Sequence, residues 1–255
     1  MNVSEFTASN DLQRLTMLRN WFSSPLGSQL LETERSILDQ LLPGLFGYHL
    51  LQLSVVEQSL YEVSPVGLRF KMGISCGERS PFIGSLTELP FEDSSIDIVL
   101  LQHVLDISAV PQHVLREASR VSIAAGYLLI VGFNPFSIWG LWNAVKMWDK
   151  KAPWNADFIR PGRLMDWLNL LDFKIDRAIF GFYRPPSATF GRVHMPDFSR
   201  GLSRNINWPF GAAYVIMARK QVGGMTPIRP TWRTRESRLG QISVVKPMGR
   251  HIGER

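Results

Sequence analysis

The sequence predicts an α/β domain whose centre is a mostly parallel sheet with helices on both sides. Three observations predict it. Ile96-Asp97-Ile98-Val99-Leu100-Leu101 is a near-continuous apolar run, opened by the charged and serine turn Glu92 to Ser95. A short run bounded by a turn suits a strand covered on both faces. Val114, Leu115, Ala118 and Val121 then recur at helical spacing, and Gly126 opens a second apolar run, Tyr127 to Val131. Strand, helix and strand in such close succession form a βαβ unit, whose strands run parallel through a right-handed crossover.

The remaining elements extend this unit. Residues 1–45 read as a helical N-terminal cover, with one apolar stripe at Leu15, Leu18, Trp21 and Phe22. A second stripe follows Ser23 to Gly27, at Leu30, Leu31, Ile37, Leu38, Leu41 and Leu42. Such stripes pack on a sheet; a lid over a substrate pocket is the alternative. Gly47 to Ser54 reads as the first strand, and Val55 to Tyr61 as a helix or a loop. Val66 to Met72 and the shorter Pro81 to Ser85 are the next two strands. After the central unit come Asn134 to Ser137, a helix from Ile138 to Trp148, and a helix over 160–168 with Pro161 in its first turn, where the missing N–H is no loss. Phe173 to Phe180 alternates with period two, as an edge strand does, and Ala212 to Lys220 is the last strand. Residues 184–209, rich in Pro, Gly, Arg and Ser, read as an excursion. The main domain is thus 46–220, and 221–255 reads as a basic, disordered tail with little apolar periodicity.

With 255 residues, 45% of them hydrophobic, the chain can bury one full core. The single cysteine, Cys76, excludes an internal disulfide and fits a reducing compartment. Met1 to Glu5 carries an acid and no apolar segment, which reads against a cleaved signal. The longest nearly apolar run, Ile123 to Phe133, falls short of the roughly 20 residues that span a bilayer. The chain therefore reads as cytoplasmic, without a transmembrane segment. From Lys220 onward stand eight Lys or Arg against Glu236 and Glu254, so the formal net charge of +6 resides in Lys220 and the tail that follows it. The tail offers a weak contact to nucleic acid or an anionic surface; the globular part carries no such signal. His49, His103, His113, His194 and His251 are dispersed, so no metal cluster is visible, and neither a nucleophile elbow nor a phosphate-binding loop occurs.

Leu89-Pro90-Phe91, the turn 92–95, the strand Ile96-Asp97-Ile98-Val99, the helix Leu115-Arg116-Glu117-Ala118-Ser119-Arg120-Val121 and the strand from Gly126 follow one another in an order that resembles the class I S-adenosylmethionine-dependent methyltransferases, of the type 11-like kind. Gly132-Phe133-Asn134-Pro135-Phe136-Ser137 and Met165-Asp166-Trp167-Leu168 resemble a bacterial subgroup of them. The resemblance implies a Rossmann-like three-layer sandwich of seven strands, the last antiparallel. It implies S-adenosyl-L-methionine as cofactor and methyl transfer to an unidentified acceptor. The chain departs from the family after its first strand. Members place a glycine-rich turn there because the cofactor's methionine part lies against the backbone. Here the segment is Gln52-Leu53-Ser54-Val55-Val56-Glu57, the second strand ends Lys71-Met72-Gly73 without the ribose carboxylate, and Ser85 stands where an Asp is usual. If side chains of Ser54 to Glu57 plug the crevice, the fold survives without the enzyme. The second reading is therefore a catalytically inactive scaffold or regulatory binding protein, RNA-associated through the tail.

The resemblance places cofactor contacts at Gln52 and Ser54, at Ser85 and Leu86, and at Gln102, whose backbone carbonyl would hold the methionyl amino group. Ser85 would meet the adenine amino group and the Leu86 N–H the ring. His103 is the candidate base, because histidine titrates near neutrality; a structural histidine is the alternative. Asp97 and Asn134-Pro135 read as structural, the latter as a helix cap or loop former. Trp139, Trp142, Trp148 and Trp154, with Lys146, Lys150 and Lys151 nearby, read as core and interface aromatics. An apolar patch meeting a substrate or a membrane surface is the alternative.

Overall fold

The computed structural model describes residues 3–73, 82–145, 153, 156–184 and 208–221. Cys76, Lys146, Trp148, Lys150, Lys151, Trp154, most of the 184–209 excursion and the tail beyond 221 lie outside them. The chain divides into two units, Met1–Gly223 and Gly224–Arg255, of which the first is described below.

Among the described residues, six full strands and one two-residue edge strand form a single sheet. They are β1 (His49–Ser54), β2 (Leu68–Gly73), β3 (Phe82–Ile83), β4 (Ile96–Gln102), β5 (Ser122–Phe133), β6 (Phe173–Gly181) and β7 (Ala213–Lys220), in the order β3-β2-β1-β4-β5-β7-β6. Every neighbouring pair is parallel except those of β7, which runs antiparallel to β5 and to β6. The apolar run of β4 is continuous because both faces are covered. Ile98 and Leu100 belong to one core with Leu50, Leu129, Val131 and Val215. Val99 and Leu101 belong to the other with Leu51, Leu53, Leu128, Ile130 and Ile216.

The second core is closed by α4 (Pro111–Val121) and α6 (Pro161–Leu170). Val114, Leu115, Ala118 and Val121 of α4, with Leu164 and Leu168 of α6, are buried there as the spacing predicts. The first core is closed by the N-terminal helices α1 (Val3–Phe22) and α2 (Pro25–Leu41), through Leu15, Leu18, Phe22, Leu30, Leu38 and Leu41. Ser24 caps α2, its hydroxyl accepting from Gly27 N at 3.2 Å. Residues 55–67, between β1 and β2, form no helix, so α1 and α2 cover the face that a crossover helix at this point would cover.

The sequence motif around β4 has a mechanical explanation. The Arg120 guanidinium donates to the carbonyls of Leu89 (3.0 Å) and Phe91 (2.9 Å) and to Asp93 Oδ1 (2.6 Å), and it pairs with Glu117. Glu117 Oε2 in turn accepts from Leu89 N at 3.1 Å. One helix turn thus clamps the Leu-Pro-Phe loop, through charge-assisted bonds that are the stronger kind. Asp97 is structural: its Oδ2 accepts from the backbone N–H of Tyr48 (3.0 Å) and His49 (2.9 Å), tying the start of β1 to β4. Gly47 lies so close that a Cβ there would stand 2.4 Å from Asp97 Cβ.

Three boundaries differ from the sequence reading. The strand expected from Gly126 begins at Ser122, because Ser122 pairs with Ile96 before a register shift that ends at Tyr127 opposite Ile98. That irregularity holds Ala125 at φ 64°. The second strand is shifted to Leu68–Gly73, and the third shrinks to Phe82–Ile83 because Ser85 to Glu88 closes into a turn.

Candidate functional site

Ligands of open α/β sheets sit beyond the carboxyl ends of the strands, where the chain order reverses. Here that point lies between β1, from which the chain proceeds outward to β2 and β3, and β4, from which it proceeds to β5. The last residues of the two strands, Ser54 and Gln102, stand side by side.

At the tip of β4, His103 takes a left-handed conformation, φ 55°, which ends the strand and opens the single turn α3 (Val104–Ile107). That kink turns its imidazole inward, where it is fully buried between the rings of Phe133 (centroids 4.1 Å) and Phe22 (5.2 Å). Both ring nitrogens meet carboxylates: Nδ1 lies 2.7 Å from Asp106 Oδ2, and Nε2 lies 2.8 Å from Glu34 Oε1. Glu34 comes from α2 and also accepts from Gln102 Nε2 at 3.0 Å. Asp106 Oδ2 further accepts from Phe133 N at 3.1 Å. Gln102, Glu34, His103 and Asp106 therefore form one buried polar chain linking the N-terminal cover to the tips of β4 and β5. Two of its atoms, Gln102 Oε1 and Asp106 Oδ1, are buried acceptors without a hydrogen-bond donor. Such groups ordinarily find a partner.

Burial pushes the His103 imidazolium toward losing its proton, but the charge of Glu34 and the hydrogen bonds to Asp106 and Glu34 outweigh it, holding the pKa up at about 9. His103 is thus a cation at neutral pH, with both N–H groups donating. Burial raises the Asp106 carboxyl, against the hydrogen bond and charge of His103. Tyr214, buried beside Gly132, has its hydroxyl pushed well up by burial and by the charge of Asp106. Two acids face one imidazole ring here, one at each nitrogen.

The tip of β1 is built differently. Gln52 donates to Ser54 Oγ (2.8 Å) and to the Gln58 carbonyl (2.9 Å), while its Oε1 accepts from Leu60 N (2.8 Å). Ser54 Oγ donates to the Val56 carbonyl at 2.8 Å. These two side chains hold the 55–60 loop in shape from within. Val55 and Val56 are buried in the core under α1, Arg19 Nε donates to the Val55 carbonyl at 2.9 Å, and Glu57 is exposed. The Gln102 carbonyl, expected to meet a cofactor amino group, accepts from Val55 N at 3.2 Å. Ser85 is exposed, sharing a hydrogen bond with Thr87 Oγ1 (2.9 Å), and Leu86 is buried in the second core.

Of the residues singled out in the sequence, the structure brings Gln52 and Ser54 together in one loop, and Gln102 and His103 in one cluster. Asn134 shapes its loop: its side chain donates to the carbonyls of Pro209 (2.7 Å) and Gly211 (2.8 Å) and accepts from Phe136 N (3.0 Å). The cap of the next helix, α5 (Ile138–Val145), is Ser137, whose hydroxyl accepts from Gly140 N at 3.2 Å. Trp139 is buried, with its indole N–H donating to the Arg184 carbonyl at 2.7 Å. Among the described residues no group of His, Cys, Asp and Glu could hold a metal ion, and no helix is long and apolar enough to cross a membrane. Glu34 and Asp106 escaped the sequence reading. Glu34 did leave a signal, an acid at helical spacing between Leu30 and Leu38 on the apolar stripe of α2.

Comparison with known proteins agrees with this architecture. Residues 54–130 match the family described as a methyltransferase domain. Over 210 residues, 81% of this chain and 82% of its relative, the sequence is 29% identical to the uncharacterized protein YafS of Escherichia coli. A Thermotoga maritima S-adenosylmethionine-dependent methyltransferase, described as a possible histamine N-methyltransferase, superposes with a TM-score of 0.60 at 21% identity, covering 79% of this chain and 93% of its own. An S-adenosylmethionine-dependent methyltransferase of Archaeoglobus fulgidus does so at 0.52 and 18% identity, covering 74% and 94%.

Proposed function

We propose that this chain, which belongs to the class I S-adenosylmethionine-dependent methyltransferase family, transfers a methyl group from that cofactor to an acceptor bound at the carboxyl edge of its sheet. The observation that carries the reading is the buried chain at the tip of β4, with Gln102 Oε1 and Asp106 Oδ1 lacking donors and two carboxylates facing one imidazolium. The family's cofactor is cationic at both its sulfonium and its methionyl ammonium, so a cluster with unmatched acceptors fits it on this side. The cofactor supplies a methyl carbon already activated by the sulfonium, and positioning provides much of the rate. Gln102 Oε1 would accept from the ammonium. Glu34 fixes the orientation of Gln102 through its amide. His103, already protonated at neutral pH, acts there by charge and position. Exposed Ser85 and the Leu86 backbone would border the adenine. Gln52 and Ser54 act through the loop they hold.

A second reading is favoured by one observation: Ser54, Val55 and Val56 are buried where the family keeps a glycine turn open. On that reading the fold serves as a scaffold without methyl transfer. Thermal unfolding with S-adenosylmethionine and, separately, S-adenosylhomocysteine distinguishes the two. A ligand at 100 times its Kd adds about 2.7 kcal/mol, a rise of roughly 5–10 °C for a domain of this size. That rise is the expected result. An unchanged midpoint with both ligands at millimolar concentration would leave the scaffold.

A further inference from the structure

Helix α5 presents an inverted surface. Its inner side is pinned by buried Trp139, whereas Ile138 and Leu141 point outward, each more than half exposed. A surface helix normally turns polar residues to water. Phe136, just before the helix, and Trp208 and Phe210, on the loop before β7, are also more than half exposed. These aromatics are gathered at one node. The Asn134 side chain accepts from Phe136 N and donates to the carbonyls flanking Phe210, those of Pro209 and Gly211. The rings of Trp208 and Phe210 pack edge to face at 6.5 Å. Leu170 is also exposed, but singly, and lone exposed apolar residues are ordinary; a gathered set is not.

One cation stands against the set. The Arg160 guanidinium lies over the Phe136 ring, 5.6 Å from its centroid. The described segments that carry the set, 133–145 and 208–221, hold no acidic residue. We propose that the cluster of Phe136, Ile138, Leu141, Trp208 and Phe210 docks on the surface of an anionic phospholipid bilayer, with the apolar side chains entering the headgroup boundary and Arg160 meeting lipid phosphates. Aromatic residues with an apolar body, a short helix lying in the interface and a cationic rim are the chemistry such a surface selects. A cation over Phe136 and the lack of acids in the two segments that carry the set favour an anionic lipid surface over a protein partner, whose own mixed charges would call for acids here. Such docking does not require methyl transfer.

The test is co-sedimentation of the full chain with vesicles of phosphatidylcholine alone and of phosphatidylcholine mixed with phosphatidylglycerol. Binding to the mixed vesicles is expected, persisting in part at ~1 M salt, where charge attraction alone is screened. The double variant Phe136→Ser with Leu141→Ser should bind at least ~10-fold more weakly, since the transfer of two large side chains is lost. Leu170→Ser, elsewhere on the surface, should bind as the parent does, and circular dichroism confirms that each variant is folded. Phe210→Ser gives an independent check from the second loop. Absence of vesicle binding overturns the proposal. So does binding that all variants share and high salt abolishes, which is binding by the basic tail. Displacement by millimolar glycerol phosphate would mark a site for a free anion and equally overturn it. A concentration-dependent dimer that these variants dissolve, without vesicle binding, would assign the surface to a second copy of the chain.

Discussion

Replacing His103 with alanine is expected to cost the fold about 3–5 kcal/mol, the range found when one partner of a buried ion pair is removed. The imidazolium lies between Glu34 Oε1 and Asp106 Oδ2, and all three side chains are out of contact with water. Without it, two buried acids and the unsatisfied Gln102 Oε1 are left together with no cation between them. Urea unfolding measures the loss. The pH dependence gives a second handle that does not require the variant to fold. The folded-state pKa of His103 is held at about 9, above the ordinary 6.5, so its contribution is complete below pH 6.5 and is lost as the pH rises through 9. The full shift corresponds to about 3 kcal/mol. The parent protein should therefore lose stability over that window, and Glu34→Gln, which removes one of the two carboxylate charges, should flatten the fall. A parent profile that is level from pH 6.5 to 9.5 would show that no imidazolium is held there.

Substituting Gly27 with valine is expected to be comparably damaging, at least ~3 kcal/mol, for a steric reason. A Cβ at Gly27 would stand 2.3 Å from the Trp21 carbonyl oxygen and 2.7 Å from Phe22 Cα, both backbone atoms that no rotamer change can move. The α1–α2 corner would have to open. Trp21 packs on Phe133 and Trp139, and Phe22 on His103, so opening that corner also loosens the cluster at the strand tips. Denaturant unfolding, with near-ultraviolet circular dichroism reporting the aromatic packing, measures both effects. Ser28→Ala, one residue on and exposed, serves as the control and should change stability by less than ~1 kcal/mol.

The sheet was legible in the sequence because each strand carries its own pattern. The unbroken run of β4 requires two covered faces, and the period-two alternation of β6 marks an edge. The Leu-Pro-Phe loop and the Glu117–Arg120 pair recur together because one clamps the other. Less legible were features set by contacts distant in sequence. Val55 to Tyr61 could continue as helix or loop on local grounds; the Gln52 side chain, bonding to Gln58 and Leu60, holds it as a loop. The irregular start of β5 depends on Ser122 meeting Ile96 across the sheet. At the site, Gln102 and His103 were marked by following a buried strand. Their partner Glu34 stands 68 residues before Gln102, and only its misfit within an apolar stripe hinted that something polar lay opposite. The sequence also suggested free hydrogen-bonding groups at Gln52 and Ser54, whereas the fold uses them to shape the loop they begin.

The most direct measurement is a titration of the isotope-labelled protein with S-adenosylhomocysteine, followed by the side-chain amide signal of Gln102 and the ring nitrogens of His103 in nuclear magnetic resonance spectra. Both groups belong to the buried chain whose unmatched acceptors are proposed to meet the cofactor. The Gln102 amide is expected to shift saturably with ligand while His103 keeps an imidazolium signature at neutral pH. Signals that stay in place at millimolar ligand, or a neutral imidazole at pH 7, would contradict it.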